Sequence, residues 1–354
     1  PDLDSSPIPL GQGICGTAAA LRQSIRVPNV ELDPRYVSCI ESVTVRSELA
    51  VPLVFKERLI GVIDLQSVRY DAFSANHEQL LSTLASSLAI ALENARLYEE
   101  LQEDEERLES DLEAAREIQH QLLPKKSPWI PGVQVAVAYE AARHLAGDFY
   151  DFVPYGNGRF ALTVADVSGK GTSAALYGSL AVGTIREHAE RSQPCPAEMQ
   201  SALNDKLRQL AIDNRFLAMV FGVIDGENRT LWLSNSGLPK PYLLRGRSAT
   251  ALDVTGMPLG LFPNQDYSEI ELRLNPGEAI VICSDGIEES PNSRDEEFGT
   301  RRIEDTLKRL AHLPAAEIAQ GLLDAVRRYS SDDERSDDRT ILVLKVVESS
   351  SGSK

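Results

Sequence analysis

The sequence predicts an α+β protein in three parts. A mixed strand-and-loop module covers residues 1–73, a long coiled-coil helix 74–123, and an α+β sandwich 124–348, with a disordered tail at 349–354. Three observations carry this reading. Residues 133–348 alternate short apolar runs with a few long amphipathic stretches, in an order that suits packed antiparallel sheets rather than a doubly wound parallel one. No Gly or Pro interrupts residues 74–123, and apolar residues recur there at steps of three and four. Two β-rich runs, 48–55 and 59–65, flank the polar Lys56-Glu57-Arg58 in hairpin fashion.

In chain order, Gly11-Gln-Gly13-Ile-Cys-Gly16 opens a short helix through Arg22, and the hairpin comes next. Ser74 is placed to cap the long helix, with His77 and Glu78 in its first turn. Apolar seats fall at 81, 84, 88, 91 and 95 and again at 101, 108, 112, 115 and 122, with a polar seat at Glu105 and a phase slip between Tyr98 and Leu101. One such stripe is too long to bury against a small module, so the spacing predicts a parallel homodimer through 74–123. Pro124 ends the helix, and Pro128 and Pro131 stiffen the entry to the sandwich. Strands are expected at 133–139, 149–154, 159–164, 217–224, 230–234, 242–245, 270–274, 279–283 and 340–347. Helices are expected at 172–191, 196–211, 300–311 and 314–329.

Composition narrows the function. The 354 residues carry 36 Lys and Arg against 53 Asp and Glu, a net charge of −17, which argues against a nucleic-acid ligand. The cysteines at 15, 39, 195 and 283 form no CxxC pair, as expected of thiols in a reducing cytoplasm. No signal peptide is expected, and long uncharged runs such as 172–185 fall short of the ~18–20 apolar residues of a spanning helix, so no membrane association is expected. The chain begins without Met and in mid-pattern, as a fragment would.

Several aspartates stand where strands end. Asp148 follows Gly147 and opens a strand. Asp166 closes the run Phe160-Ala-Leu-Thr-Val-Ala165, and Asp285 follows Ala279-Ile-Val-Ile-Cys-Ser284 and precedes Gly286. Asp337 and Asp338 stand before the last strand. A carboxylate on such a rigid seat is costly without a partner, and the motifs hold few Lys or Arg. The pattern favours a hard cation with oxygen ligands, Mg²⁺ or Mn²⁺ rather than zinc. Two such ions about 3.5–4 Å apart can activate water for hydrolysis of a phosphate ester. No G-x-S-x-G elbow or P-loop is present, and Gly169-Lys-Gly-Thr172 lacks P-loop spacing.

These motifs resemble a known family. Ala146-Gly-Asp-Phe-Tyr-Asp-Phe152, Ala165-Asp-Val-Ser-Gly-Lys-Gly-Thr-Ser-Ala-Ala175, Cys283-Ser-Asp-Gly-Ile-Glu-Glu289 and Ser336-Asp-Asp-Arg-Thr-Ile-Leu-Val343 are similar to those of metal-dependent (PPM, or 2C class) protein serine/threonine phosphatases of the bacterial SpoIIE/RsbU type. Ala115-Arg-Glu-Ile-Gln-His-Gln-Leu-Leu-Pro124 resembles the helix before that catalytic domain. The resemblance implies an α-β-β-α sandwich with a two-cation centre, Mn²⁺ or Mg²⁺, at one edge. It implies Asp166 bridging both ions, the Val167 carbonyl on one, Asp285 and Asp337 completing the first shell, and Asp148 joining directly or through water. Asp338 is a neighbour, because adjacent strand residues point to opposite faces. Arg143 stands where related phosphatases place a phosphate-binding Arg. The substrate it implies is a phosphorylated protein of the anti-anti-sigma type. Leu238, in Asn235-Ser-Gly-Leu-Pro-Lys-Pro241, replaces a usual His that is not a ligand, and Ala146 replaces a usual Gly.

Residues 1–73 resemble the later part of a GAF sensor domain through Gly13-Ile-Cys-Gly16, Ile25-Arg-Val-Pro-Asn-Val30, Asp33-Pro-Arg-Tyr36, Ser47-Glu-Leu-Ala-Val-Pro-Leu53 and Gly61-Val-Ile-Asp-Leu65. A small-molecule ligand of unknown identity is implied, and Cys39 is expected to be an ordinary half-buried thiol rather than a redox or ligand contact. The alternatives are a non-enzymatic dimeric scaffold and a two-metal nucleotide cyclase.

Overall fold

Alternating side chains explain why the C-terminal residues form two sheets. In the computed structural model, which describes residues 8–38, 44–210, 212, 214–330 and 337–348, the chain divides into two units, 1–109 and 110–354. Cys39 and Ser336 lie outside the described residues, as do both ends of the chain.

In the first unit, α1 (Gly13–Leu21) is followed by β1 (Ile25–Val27), a 3-10 turn, β2 (Ser47–Phe55) and β3 (Arg58–Ser67). The strands form one antiparallel sheet in the order β1-β2-β3. Both faces of β2 are covered, which is why its sequence is almost continuously apolar. Ala50 joins Ile14, Ala18, Val27 and Val30 on one side, while Leu49, Val51 and Leu53 meet Ala85 and Ala89 on the other. The last two belong to α2 (Ala75–Leu122), whose 48 residues run uninterrupted. Ser74 Oγ accepts from the His77 N–H, and His77 Nδ1 accepts from the Ser74 N–H, so the expected cap is made. The expected heptad seats Leu84, Leu88, Ala91, Ala95, Leu101 and Leu108 are exposed.

The second unit holds two five-stranded antiparallel sheets. One has the order β10 (Ser248–Ala251), β9 (Tyr242–Arg245), β12 (Ala279–Cys283), β13 (Arg339–Val346), β4 (Val133–Glu140). The other has the order β11 (Glu269–Arg273), β8 (Thr230–Ser236), β7 (Leu217–Asp225), β6 (Arg159–Val167), β5 (Phe149–Pro154). Period-2 alternation assigns each strand residue to a layer. On β13, Leu342, Leu344 and Val346 face the other sheet, where Leu162, Val164 and Val220 meet them. Ile341 and Val343 instead face α6 (Gly299–Leu310) and α7 (Ala315–Tyr329) through Ile303, Leu307, Ile318 and Leu322. On β7, Met219, Phe221 and Val223 face α3 (Thr172–Arg191) and α4 (Pro196–Gln209). The unit is therefore the four-layer α-β-β-α sandwich.

Two expectations change. β6 continues past Asp166, which pairs with Ala218 while Val167 pairs with Leu217; the aspartate sits inside the ladder rather than at its end. The strand β10 and the single turn α5 (Asp285–Glu288) lack the apolar periodicity that marked the other elements.

Candidate metal centre

The two sheets deliver acidic side chains to one shared edge. Asp148 precedes β5, one step beyond the Phe149–Ala165 pair, and so lies across from Asp166 on β6. From the other sheet, Asp285 opens α5 two residues after the end of β12, and Asp337 and Asp338 precede β13.

Their surroundings differ. Asp148 is 2% exposed, and its Oδ2 accepts a hydrogen bond from Thr340 Oγ1 at 2.6 Å. Burial, then the charges of Asp166 and Asp338, hold its carboxyl well above the usual carboxylate range. Asp166 is pushed up to about 7 by burial first, then by Asp285 and Asp337, while a hydrogen bond with Asp148 acts the other way. Burial and the Asp337 charge raise Asp285, against the opposing Gly286 N–H and Lys170. Asp337 is 44% exposed at its side chain and pairs with Lys170 Nζ at 2.9 Å. Asp166 thus stands among the other three carboxylates, hydrogen-bonded with Asp148 and within the fields of Asp285 and Asp337.

Asp338 has a different task. Its Oδ1 accepts from the Ala142 N–H at 2.8 Å, and its Oδ2 from the N–H groups of Gly147 at 2.6 Å and Asp148 at 3.4 Å. One sheet's carboxylate is thereby fastened to the loop that carries Asp148 from the other. Arg143 stands exposed on that loop.

Two glycines permit the close approach. A Cβ on Gly147 would lie 3.0 Å from the Val167 carbonyl oxygen and 3.4 Å from Asp166 Oδ1. A Cβ on Gly286 would lie 2.0 Å from the Asp338 carbonyl oxygen, which is backbone and cannot turn away. Beside the centre, Arg215 donates to the Ser168 carbonyl and, at 2.6 Å, to Ser173 Oγ, bracing the loop after β6. Gln119, in the last turn of α2, hydrogen-bonds Ala146 on the Asp148 loop. Sequence reasoning missed Thr340, Lys170, Arg215 and the fastening role of Asp338. The first two sit inside the quoted motifs and Arg215 lies just before β7, but their partners are remote in sequence. Leu238, where the resemblance leads one to expect His, is buried between the sheets, its N–H and carbonyl both held by the Asn235 side chain.

The donor set is all oxygen and suits hard divalent cations. No three of these carboxylates bring their oxygens within 4.8 Å of one another. The protonation pushed up at Asp148, Asp166 and Asp285 is what uncompensated carboxylates show and what bound cations would reverse.

The profile of stage II sporulation protein E (SpoIIE) matches residues 156–347, more than half of the chain. The chain belongs to the SpoIIE family. A GAF domain profile matches residues 1–93. Among curated relatives, protein IcfG of Synechocystis is 28% identical over 238 residues, 60% of this chain and 37% of that one. Phosphoserine phosphatase RsbU of Bacillus subtilis is 24% identical over 246 residues, 68% of this chain and 71% of that one. The chain thus spans little more than a third of one of these relatives and about seven tenths of the other. The solved SiaA PP2C domain of Pseudomonas aeruginosa superposes with a TM-score of 0.62 at 22% identity, over 68% of this chain and 97% of that domain. The SpoIIE unit has the PP2C-type fold, with a GAF domain before it. Among the described residues, no helix is long and apolar enough to cross a membrane.

Proposed function

We propose that this chain is a cytoplasmic, metal-dependent protein serine/threonine phosphatase governed by its GAF domain. The observation that carries the reading is the meeting of Asp148 and Asp166 from one sheet with Asp285 and Asp337 from the other. Bound there, two Mn²⁺ or Mg²⁺ ions would supply an acidified water and a clamp for phosphoryl oxygens. The chain's own part is positional. Asp166, rigid within β6, faces both sets of acids, Thr340 orients Asp148, and the Gly147 contact keeps the Val167 carbonyl close to the cluster. Arg143, exposed beside the cluster's loop, is the candidate phosphate contact.

The similarity to a protein named phosphoserine phosphatase supports phosphoserine or phosphothreonine on a partner protein as substrate, of the anti-anti-sigma type that the family resemblance implies. The exposed heptad seats of α2 support a parallel homodimer through residues 74–123. The domain limits follow the same logic, with GAF residues to 73, the linker to 123 and the phosphatase to 348.

The test is Mn²⁺-dependent hydrolysis of p-nitrophenyl phosphate by the purified chain, beside Asp166→Asn and Asp285→Asn. Metal-dependent activity absent from both variants is expected. A chain that binds no Mn²⁺ by calorimetry would favour the scaffold, and conversion of ATP to a cyclic product would favour the cyclase.

A further inference from the structure

A second convergence of ligating side chains lies inside the GAF unit, apart from these aspartates. Cys15 on α1, Glu48 on β2 and Asp64 on β3 each bring one ligand atom to a common point, all within 4.8 Å of one another. The hairpin register explains the pairing. Ala50 lies opposite Asp64 and Glu48 opposite Gln66, so Glu48 and Asp64 are diagonal neighbours on one face. Gln66 donates to Asp64 Oδ2 at 2.8 Å, steadying that carboxylate. The helix α1 packs across the strands and brings the thiol, whose Sγ lies 3.8 Å from Glu48 Oε1.

A separate observation concerns Glu48 alone. Its side chain is aimed into this cluster, and the residue is 4% exposed. Among the described residues no Lys or Arg forms an ion pair with Glu48 or Asp64, and the side-chain partners of Glu48 are the weak S–H of Cys15 and the Asp64 carboxyl, both inside the cluster. A carboxylate buried in this way is costly. Burial, then the nearby Asp64 charge, pushes Glu48 up to about 8, and burial with both carboxylates also raises the Cys15 thiol. All three groups lack the same thing, a positive charge between them.

The geometry suits a small ion. Arms of about 2.3 Å to sulfur and about 2.0 Å to oxygen set a tetrahedral edge of roughly 3.5 Å, close to the observed 3.8 Å. Asp64 is on the exposed side, leaving a fourth position open to water. One thiolate beside two carboxylates prefers a borderline-soft ion over Mg²⁺ or Mn²⁺.

We propose that Cys15, Glu48 and Asp64 form a mixed sulfur–oxygen site for a borderline-soft divalent cation, Zn²⁺ or its spectroscopic surrogate Co²⁺. The site is independent of the phosphatase reading, because the aspartate centre offers no sulfur. Titrating the whole chain with Co²⁺ reads it directly, since a thiolate ligand gives a near-ultraviolet charge-transfer band that carboxylates cannot. One equivalent of band-forming Co²⁺ is expected, with displacement by Zn²⁺. Cys15→Ser should abolish the band, Glu48→Gln should weaken affinity by about tenfold or more, and Cys39→Ser and Asp166→Asn should leave it intact. Circular dichroism shows whether each variant is folded, and Glu48→Gln keeps the test decisive if Cys15→Ser is not. Absence of the band at saturating Co²⁺, its persistence in folded Cys15→Ser, or unchanged affinity in folded Glu48→Gln would overturn the proposal.

Discussion

The carboxamide of Gln119 holds both sides of Ala146: its Oε1 accepts from the Ala146 N–H at 3.1 Å, and its Nε2 donates to the Ala146 carbonyl at 2.7 Å. Ala146 is 1% exposed and stands two residues before Asp148. Gln119→Ala leaves two buried backbone groups unpaired and should cost about 1–3 kcal/mol of stability. It should also raise the Mn²⁺ concentration for half-maximal hydrolysis, while Gln119→Glu, which keeps the acceptor, recovers part of both. Thermal melts beside Mn²⁺ titrations check this. A loss of stability with unchanged Mn²⁺ dependence would make Gln119 a packing residue only.

Asp338 predicts a different pattern. Asp338→Ala strips the acceptor from the Ala142 and Gly147 N–H groups, and charge-assisted bonds of this kind contribute about 1.5–3 kcal/mol each. Urea denaturation should show a loss of at least that size, with activity abolished. Asp338→Asn should fall between, because its amide can accept on one side only.

Gly286→Ala tests the backbone approach. A methyl 2.0 Å from the Asp338 carbonyl forces α5 away from β13, at about 1–3 kcal/mol if the structure yields. Since Asp285 opens that turn, activity should fall further than stability does, measured as residual turnover at a temperature where the variant is folded.

In the presence of a chelator, stability should depend on pH with an unusual sign. Asp166 rises from 3.8 to about 7 in the fold, and Asp148 and Asp285 also rise. Between those values the folded state binds more protons than the unfolded one. The contribution is fully present below about 4 and is lost as pH climbs through about 7. The chelated protein should therefore melt lower at pH 8 than at pH 5, and Mn²⁺ should raise the midpoint most at pH 8. Equal midpoints at the two pH values would contradict the arrangement.

The exposed seam of α2 gives a last prediction. Leu108 is 60% exposed; Leu108→Glu with Leu112→Glu should convert a dimer to monomer in sedimentation and change basal phosphatase activity. Monomers with unchanged activity would detach the coil from control of the catalytic unit.

Much of this architecture is written in local patterns. β13 and β7 can be read as strands from the chain because each is a short, nearly continuous apolar run, as burial on both faces requires, and the Gly-Asp and Asp-Gly pairs at 147–148 and 285–286 are local spellings that single out the candidate centre. What escapes is whatever depends on distant partners. Asp337 and Asp338 are alike in sequence, but only the register of β13 against β4 brings the second onto the 142–148 loop. Ser248-Ala-Thr-Ala251 has too little apolar contrast to announce a strand, and its pairing with β9 makes it one. Cys15, Glu48 and Asp64 obey no sequence period, because helix packing and a hairpin register bring them together.

The acidic centre is divided between two sheets whose facing surfaces are apolar at positions such as Val220 and Leu342. Beyond the hydrogen bonds of Asp338 and Thr340 at that edge, the apolar layers have no directional bonds to fix them laterally, so the alignment of the two halves also depends on side-chain shape. A slip of one sheet across the other, small enough to leave every strand ladder unbroken, would separate Asp166 from Asp285. On the proposed function, output is then a property of the greasy interlayer as much as of the carboxylates. Trimming a methyl at Val220, across the ladder from Val164, becomes a way of tuning turnover without touching a single ligand.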